Sequence, residues 1–217
     1  MIMFFRFIKS DFIKVKRRPI IFIHFIIPII GMIMFFQCFS YRISSPTSKI
    51  IGLFELAACV FPALTGIVCA MVSRQEYSAG GFQQMLTSHV RYMSFLSKII
   101  VVSILGLFSS ILLACGSGII FKYLLHQSIF GFGYYLYLAG ILFISNIFFY
   151  VFNFIISLKF GAIQSIVIGV IETLMSPIFT STLFNGKWLP LPSIVLLTIV
   201  IGISCKWFSK WEGRENK

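Results

Sequence analysis

Residues 73–98 read S-R-Q-E-Y-S-A-G-G-F-Q-Q-M-L-T-S-H-V-R-Y-M-S-F-L-S-K, the longest polar interruption in an otherwise oily chain. Within it Phe82, Met85, Leu86, Val90 and Met93 recur at helical spacing, and Gln83, Gln84, Thr87, Ser88 and Arg91 fall on the opposite side. Gly80-Gly81 breaks the chain just ahead of that pattern. The spacing therefore predicts a short two-faced helix over residues 82–92, entered through a flexible corner. Between membrane spans, such a helix either lies in the lipid interface or presses its polar face into a soluble partner.

Around that stretch the chain is apolar. Of its 217 residues, 59% are hydrophobic and 11% are charged, against about a quarter charged in soluble domains. Several apolar runs exceed the roughly 20 residues that a bilayer-spanning helix needs. The class is an all-α, polytopic membrane protein. No length remains for a soluble catalytic domain, so any energy source must come from another polypeptide.

Six spans are predicted, at 19–39, 50–72, 95–121, 132–158, 160–184 and 192–208. Ahead of them, residues 1–18 carry Arg6, Lys9, Lys14, Lys16, Arg17 and Arg18 against Asp11 alone, with Phe4, Phe5, Ile8, Phe12 and Val15 at helical spacing. This reads as an amphipathic helix on the inner leaflet, not as a secretory leader, since no small-residue cleavage pattern follows. Residues 209–217 form a short tail. With both termini in the cytoplasm, 14 of the 18 Lys and Arg fall inside, and Arg42, Lys49, Lys122 and Lys187 fall outside. Residues 73–98 are then cytoplasmic and the location is a bacterial cytoplasmic membrane. The net charge of +12 is mostly a topology signal. It does not point to nucleic acid, because no soluble fold presents it.

The outer loops, at about 40–49, 122–131 and 185–191, are too short to fold a receptor domain. Pro177 and the run W-L-P-L-P over 188–192 make the outer end of the fifth span either bent and partly re-entrant, or an ordinary kink followed by a turn. The fourth and fifth spans have almost no linker and should form a tight hairpin.

Chemistry-bearing motifs are sparse. Cys38, Cys59, Cys69, Cys115 and Cys205 are odd in number and scattered through apolar runs, which suits small buried hydrophobes rather than a disulfide framework. His24, His89 and His126 lie on separate segments, so no metal site is expected. Asp11 is the lone aspartate and lies outside the spans, and H-E-x-x-H is absent, which argues against intramembrane proteolysis. A G-x-x-x-x-G-K-[ST] loop is absent too, so this chain has no such route to binding ATP.

Polar groups in lipid face protein or a cavity. Glu172 lies mid-span with Gln164 two turns earlier; it either pairs with a cationic group of a substrate or bonds to another span or subunit. Glu55 lies nearer the outer end of the second span, and Asn146 and Asn153 share a face of the fourth, as interhelical bonding residues do. Gly161, Ser165, Gly169 and Ser176 permit close helix packing.

The run from Glu76 through Gly80, Leu86 and Arg91 to Lys98, with the six spans and the basic aromatic N-terminus, resembles the permeases of ABC-2 type transporters. His89-Val90 stands where a proline often precedes the Arg. The resemblance implies an ABC-2 permease fold with a coupling helix at about 73–94 that docks on a separate ATPase subunit. Glu76, Gly80, Gly81, Phe82, Met85, Leu86 and Arg91 would then be the ATPase-coupling residues. The chain itself would be no enzyme and would bind no cofactor, with ATP and Mg on the ATPase. More narrowly, the size and the ending W-F-S-K-W-E-G-R over 207–214 resemble the small G-type permeases of lantibiotic self-protection transporters. Those pair two different permeases with two copies of one ATPase and expel the producer's own peptide. The remaining readings are an ABC-2 permease for another antibiotic or lipid-like substrate, and a stand-alone immunity protein that sequesters peptide.

Overall fold

The computed structural model describes residues 2–16, 18–39, 43, 45–88, 90–124, 126, 130–184 and 190–212. Among the described residues, eight α-helices succeed one another: α1 (Ile2–Lys16), α2 (Ile20–Met34), α3 (Pro46–Ser78), α4 (Gln83–Leu86), α5 (Arg91–Ile119), α6 (Phe132–Lys159), α7 (Ala162–Phe184) and α8 (Pro190–Lys210). Short π-helical turns, Phe35–Phe39 and Ile120–Leu124, extend α2 and α5. Among the described residues, four helical stretches are long and apolar enough to cross a membrane: Ile20–Cys38, Pro46–Ser78, Arg91–Tyr123 and Phe132–Lys159. Helices α7 and α8, of 23 and 21 residues, also approach or exceed the roughly 30 Å of a hydrocarbon core.

The helix limits shift from those expected for readable reasons. α3 begins at Pro46, because Ser45 caps it by accepting a hydrogen bond from the Ser48 N–H (3.1 Å) and proline suits the first helical position. It runs on to Ser78 and stops where Gly80 and Gly81 take left-handed φ of 131° and 60°. The predicted helix over 82–92 is corrected. α4 is a single turn, and the chain bends at Thr87-Ser88 before Arg91 opens α5. The tight hairpin after α6 is present, with α7 starting at Ala162.

Three features position the functional end. First, α3 is the central helix and packs chiefly on α7 and α6. Gly66 and Gly169 meet at that crossing; a Cβ on Gly66 would lie 2.7 Å from the Ser165 carbonyl oxygen, and one on Gly169 would lie 2.9 Å from that of Pro62. Second, α7 repairs the backbone that Pro62 breaks in α3. Ser176 Oγ donates to the freed Ala58 carbonyl (3.0 Å), and the Ala63 N–H donates to Thr173 Oγ1 (3.0 Å). Third, α2, α5 and α6 are tied by His24. Its Nδ1–H donates to Ile20 O (2.9 Å), its Nε2 accepts from the Tyr150 hydroxyl (3.1 Å), and its carbonyl accepts from Ser109 Oγ (2.7 Å). A small apolar groove opens between α2 and α3, lined by Ile27, Gly31, Leu53, Leu56 and Ala57 among others.

Helix α1 lies against α5. Its inward stripe is Phe4, Ile8, Asp11 and Val15, while Phe5, Phe12 and Ile13 are exposed. The expected apolar stripe thus divides. Ile8 and Val15 dock on the bundle, and Phe5 and Phe12 turn toward the surroundings, where an interfacial helix meets lipid.

Candidate functional site

The loop between α3 and α5 is anchored from beneath by buried charge. Lys98 Nζ donates to Asp11 Oδ1 and to Glu76 Oε1, both at 2.8 Å, and all three side chains are at most 9% exposed. Lys14 Nζ reaches the same Glu76 oxygen at 3.2 Å and continues to Gln84 Oε1 at 2.9 Å. Ser97 Oγ donates to the other Asp11 oxygen. Two acids and two lysines on α1, α3 and α5 therefore form a neutral cluster that joins α1 to both ends of the loop and to α4. Such a cluster tolerates burial only while every partner stays in place.

Aromatic packing anchors the loop from the side. Phe82 is 1% exposed, although its φ of 67° puts it in the left-handed region that a bulky residue rarely enters. Its ring packs on Trp211 (centroids 5.3 Å apart) and on Tyr77 (5.6 Å). Phe95, Trp207 and Phe208 continue the cluster inward. Arg91 binds this arrangement together, donating from Nε to Leu86 O (2.9 Å) and from Nη1 to Trp211 O (3.4 Å). Met85 is buried beside Phe82. Among the described residues of the loop, those left outward are Tyr77, Ser78, Ala79, Gly80, Gly81, Gln83, Gln84 and Thr87, none of which carries a formal charge. An open groove beside it is lined by Leu86, Thr87, Ser88, Val90, Arg91, Tyr92 and Ser209.

Most of the residues predicted for this site converge, with their directions changed. Phe82 and Met85 point inward as their spacing implied, and Leu86 is half-buried. Glu76 faces the lysines instead of the outside, and the Arg91 guanidinium is spent on carbonyls of its own chain. Sequence reasoning missed Asp11, Lys14 and Trp211. Asp11 had a signal: it stands on the α1 stripe between Ile8 and Val15, where an unpaired carboxylate would not be tolerated. His89 lies outside the described residues, as do Arg17, Arg42, Lys187, residues 213–217 of the tail and Trp188 in the outer loop; the re-entrant reading of the fifth span rests on that loop.

The intramembrane candidates divide. Asn153, fully buried, donates from Nδ2 to Glu172 Oε2 (2.6 Å) and to Thr65 Oγ1 (3.4 Å), so α6, α7 and α3 meet there. Asn146 is buried elsewhere on α6, Glu55 is half-buried near the start of α3, and Gln164 is exposed in the first turn of α7, beside the Gly161 and Phe160 carbonyls. The Ser165 hydroxyl lies 3.1 Å from both the Gly66 and the Asn153 carbonyl oxygens and shares its one proton between them, which makes it a bonding residue as well as a small one.

A family model described as ABC-2 family transporter protein matches residues 7–176, most of the chain and all of the anchored loop. The chain belongs to the ABC-2 transporter family. Neither the curated proteins nor the solved structures contain a match to it. As an ABC-2 permease the chain is a membrane-embedded transport component and not itself a catalyst, and members of this family typically work with an ABC ATPase.

Proposed function

We propose that this ABC-2 permease is the membrane subunit of an exporter that expels a lantibiotic-type antimicrobial peptide from the producer's own membrane, driven by a separate ATPase that seats on the loop over 77–91. The observation that carries the reading is the loop itself: uncharged at its described outward residues, and held inside by Glu76, Lys98, Asp11 and Lys14 below and by Phe82, Trp211 and Arg91 at the side. A loop so anchored passes an applied push to α1, α3, α5 and α8 together. In this role Glu76 and Arg91 are positioning residues, and Gln83 and Thr87 stand on the docking face.

Helices α2, α3, α5, α6, α7 and α8 are then the six spans, with the loop and both termini in the cytoplasm. The charge asymmetry of the sequence supports that orientation. The chain works beside a second, related permease and two copies of the ATPase, which binds the ATP and Mg. The resemblance of residues 207–214 to the small G-type permeases supports the peptide substrate.

The test is a resistance assay in cells that carry the ATPase and the second permease. Wild-type chain should protect against the peptide only with the ATPase present, and should capture the ATPase after detergent extraction. Gln83→Arg, a charge placed on the outward face, should abolish both while leaving membrane levels unchanged. Protection that persists without any ATPase would replace the exporter with a sequestering protein. Protection against unrelated compounds alone would change the substrate.

A further inference from the structure

Glu172 is the one carboxylate of α7, and it opens toward lipid. Glu172 is half-buried at the edge of the stripe of Ser165, Gly169 and Ser176, and the neighbours on its outer flank, Ile171 and Met175, are exposed. On its protein side Asn153 Nδ2 donates to Oε2, and the same amide is held by Thr65 Oγ1. That double use fixes the amide orientation and leaves Asn153 Oδ1 buried with no hydrogen-bond partner. A carboxylate and an orphaned amide oxygen thus stand side by side as acceptors, and among the described residues Glu172 has no ion-pair partner.

Among the described residues, none supplies the missing donor. Lys98 is taken up by Asp11 and Glu76, and Lys159, at the end of α6, lies over the Phe160 ring at 5.0 Å. Among the described residues, the remaining Lys and Arg lie on or beside α1 or near the ends of the other helical stretches, so a second copy brings none of them to this depth either.

The geometry points to Glu172 and Asn153 as the polar wall of a membrane-facing site for the ammonium or guanidinium of an amphipathic cation. A head group with several N–H donors serves both acceptors, which a quaternary ammonium does not. The apolar part of the ligand lies along Ile171 and Met175, the exposed α7 residues that flank Glu172 on its outer side. The physiological sense of the site rests on the export reading above; the binding does not.

The full chain is reconstituted in zwitterionic nanodiscs and titrated with dodecylammonium, with dodecyltrimethylammonium and dodecyl sulfate as comparisons. Dodecylammonium should bind saturably and about tenfold tighter than the trimethyl probe, and Glu172→Gln should remove that difference. A second measurement covers a variant that fails to fold: in the unmodified chain, dodecylammonium should protect Glu172 from a lipid-soluble carbodiimide, read by peptide mass spectrometry, and should leave Glu55 labelling unchanged. Equal binding of both cations, binding unaffected by Glu172→Gln, or no protection overturns the site. If the site is overturned while the chain still captures its ATPase, the export reading stands without it.

Discussion

Lys98 holds two carboxylates away from water, so its loss should cost more than the loss of an exposed ion pair. Lys98→Met leaves Asp11 and Glu76 with Lys14 alone and should destabilise the chain by about 3–5 kcal/mol, read by unfolding in detergent micelles with tryptophan fluorescence. Adding Glu76→Gln should recover part of that loss, because Asp11 and Lys14 remain a neutral pair; a double variant less stable than the single would contradict the cluster. Phe82 invites an inverted comparison. Ring removal costs about 3–5 kcal/mol in a core, but the left-handed backbone favours glycine over alanine by about 1 kcal/mol. Phe82→Gly should therefore be more stable than Phe82→Ala, the reverse of the order inside a helix. Periodicity shows that Phe82 and Met85 face inward, since apolar spacing is what it measures. It says nothing of Asp11, because a count of apolar positions passes over an acid on the same stripe.

Between elements, the α3–α7 contact depends on exchanges that length and hydropathy do not record. The Ala58 carbonyl loses its helical donor to Pro62 and gains Ser176 in its place. Ser176→Ala should cost about 0.5–1.5 kcal/mol in the natural chain. In a Pro62→Ala background, where the restored N–H satisfies Ala58, the cost should fall close to zero; an unchanged cost in that background would dismiss the repair. Gly169→Leu should force α3 and α7 apart and abolish stable folding, whereas Gly140→Ala, with nothing within 4 Å of the added carbon, should be neutral or slightly stabilising. Small residues in the fifth predicted span are legible as packing sites, and Gly169, Ser165 and Ser176 do pack. Their partner Gly66 is not legible, because a crossing point needs the relative placement of two helices. The length of α4 is equally hidden: the apolar period runs on across 82–93 through a bend that comes from the backbone at 87–88.

For the molecule as a whole, the all-helical membrane class and the position of the loop follow from composition and from one polar stretch, while its attachment to α1 depends on long-range contacts between Asp11 and Lys98. Removing residues 1–16 should therefore leave the spans inserted yet weaken capture of the ATPase by about tenfold or more, measured by pull-down from solubilised membranes; full capture would make α1 a lipid anchor only. One dimension has a mechanical corollary. At about 1.5 Å per residue, the 33 residues of α3 form a rod of about 50 Å, and its tightest crossing, Gly66 on Gly169, divides it unequally. Roughly 18 Å lie between that fulcrum and Ser78, and roughly 30 Å between it and Pro46. A tilt about the fulcrum is therefore geared upward, and a nudge at the short arm becomes a wider sweep at the long one, where Leu53, Leu56 and Ala57 form one bank of the groove against α2.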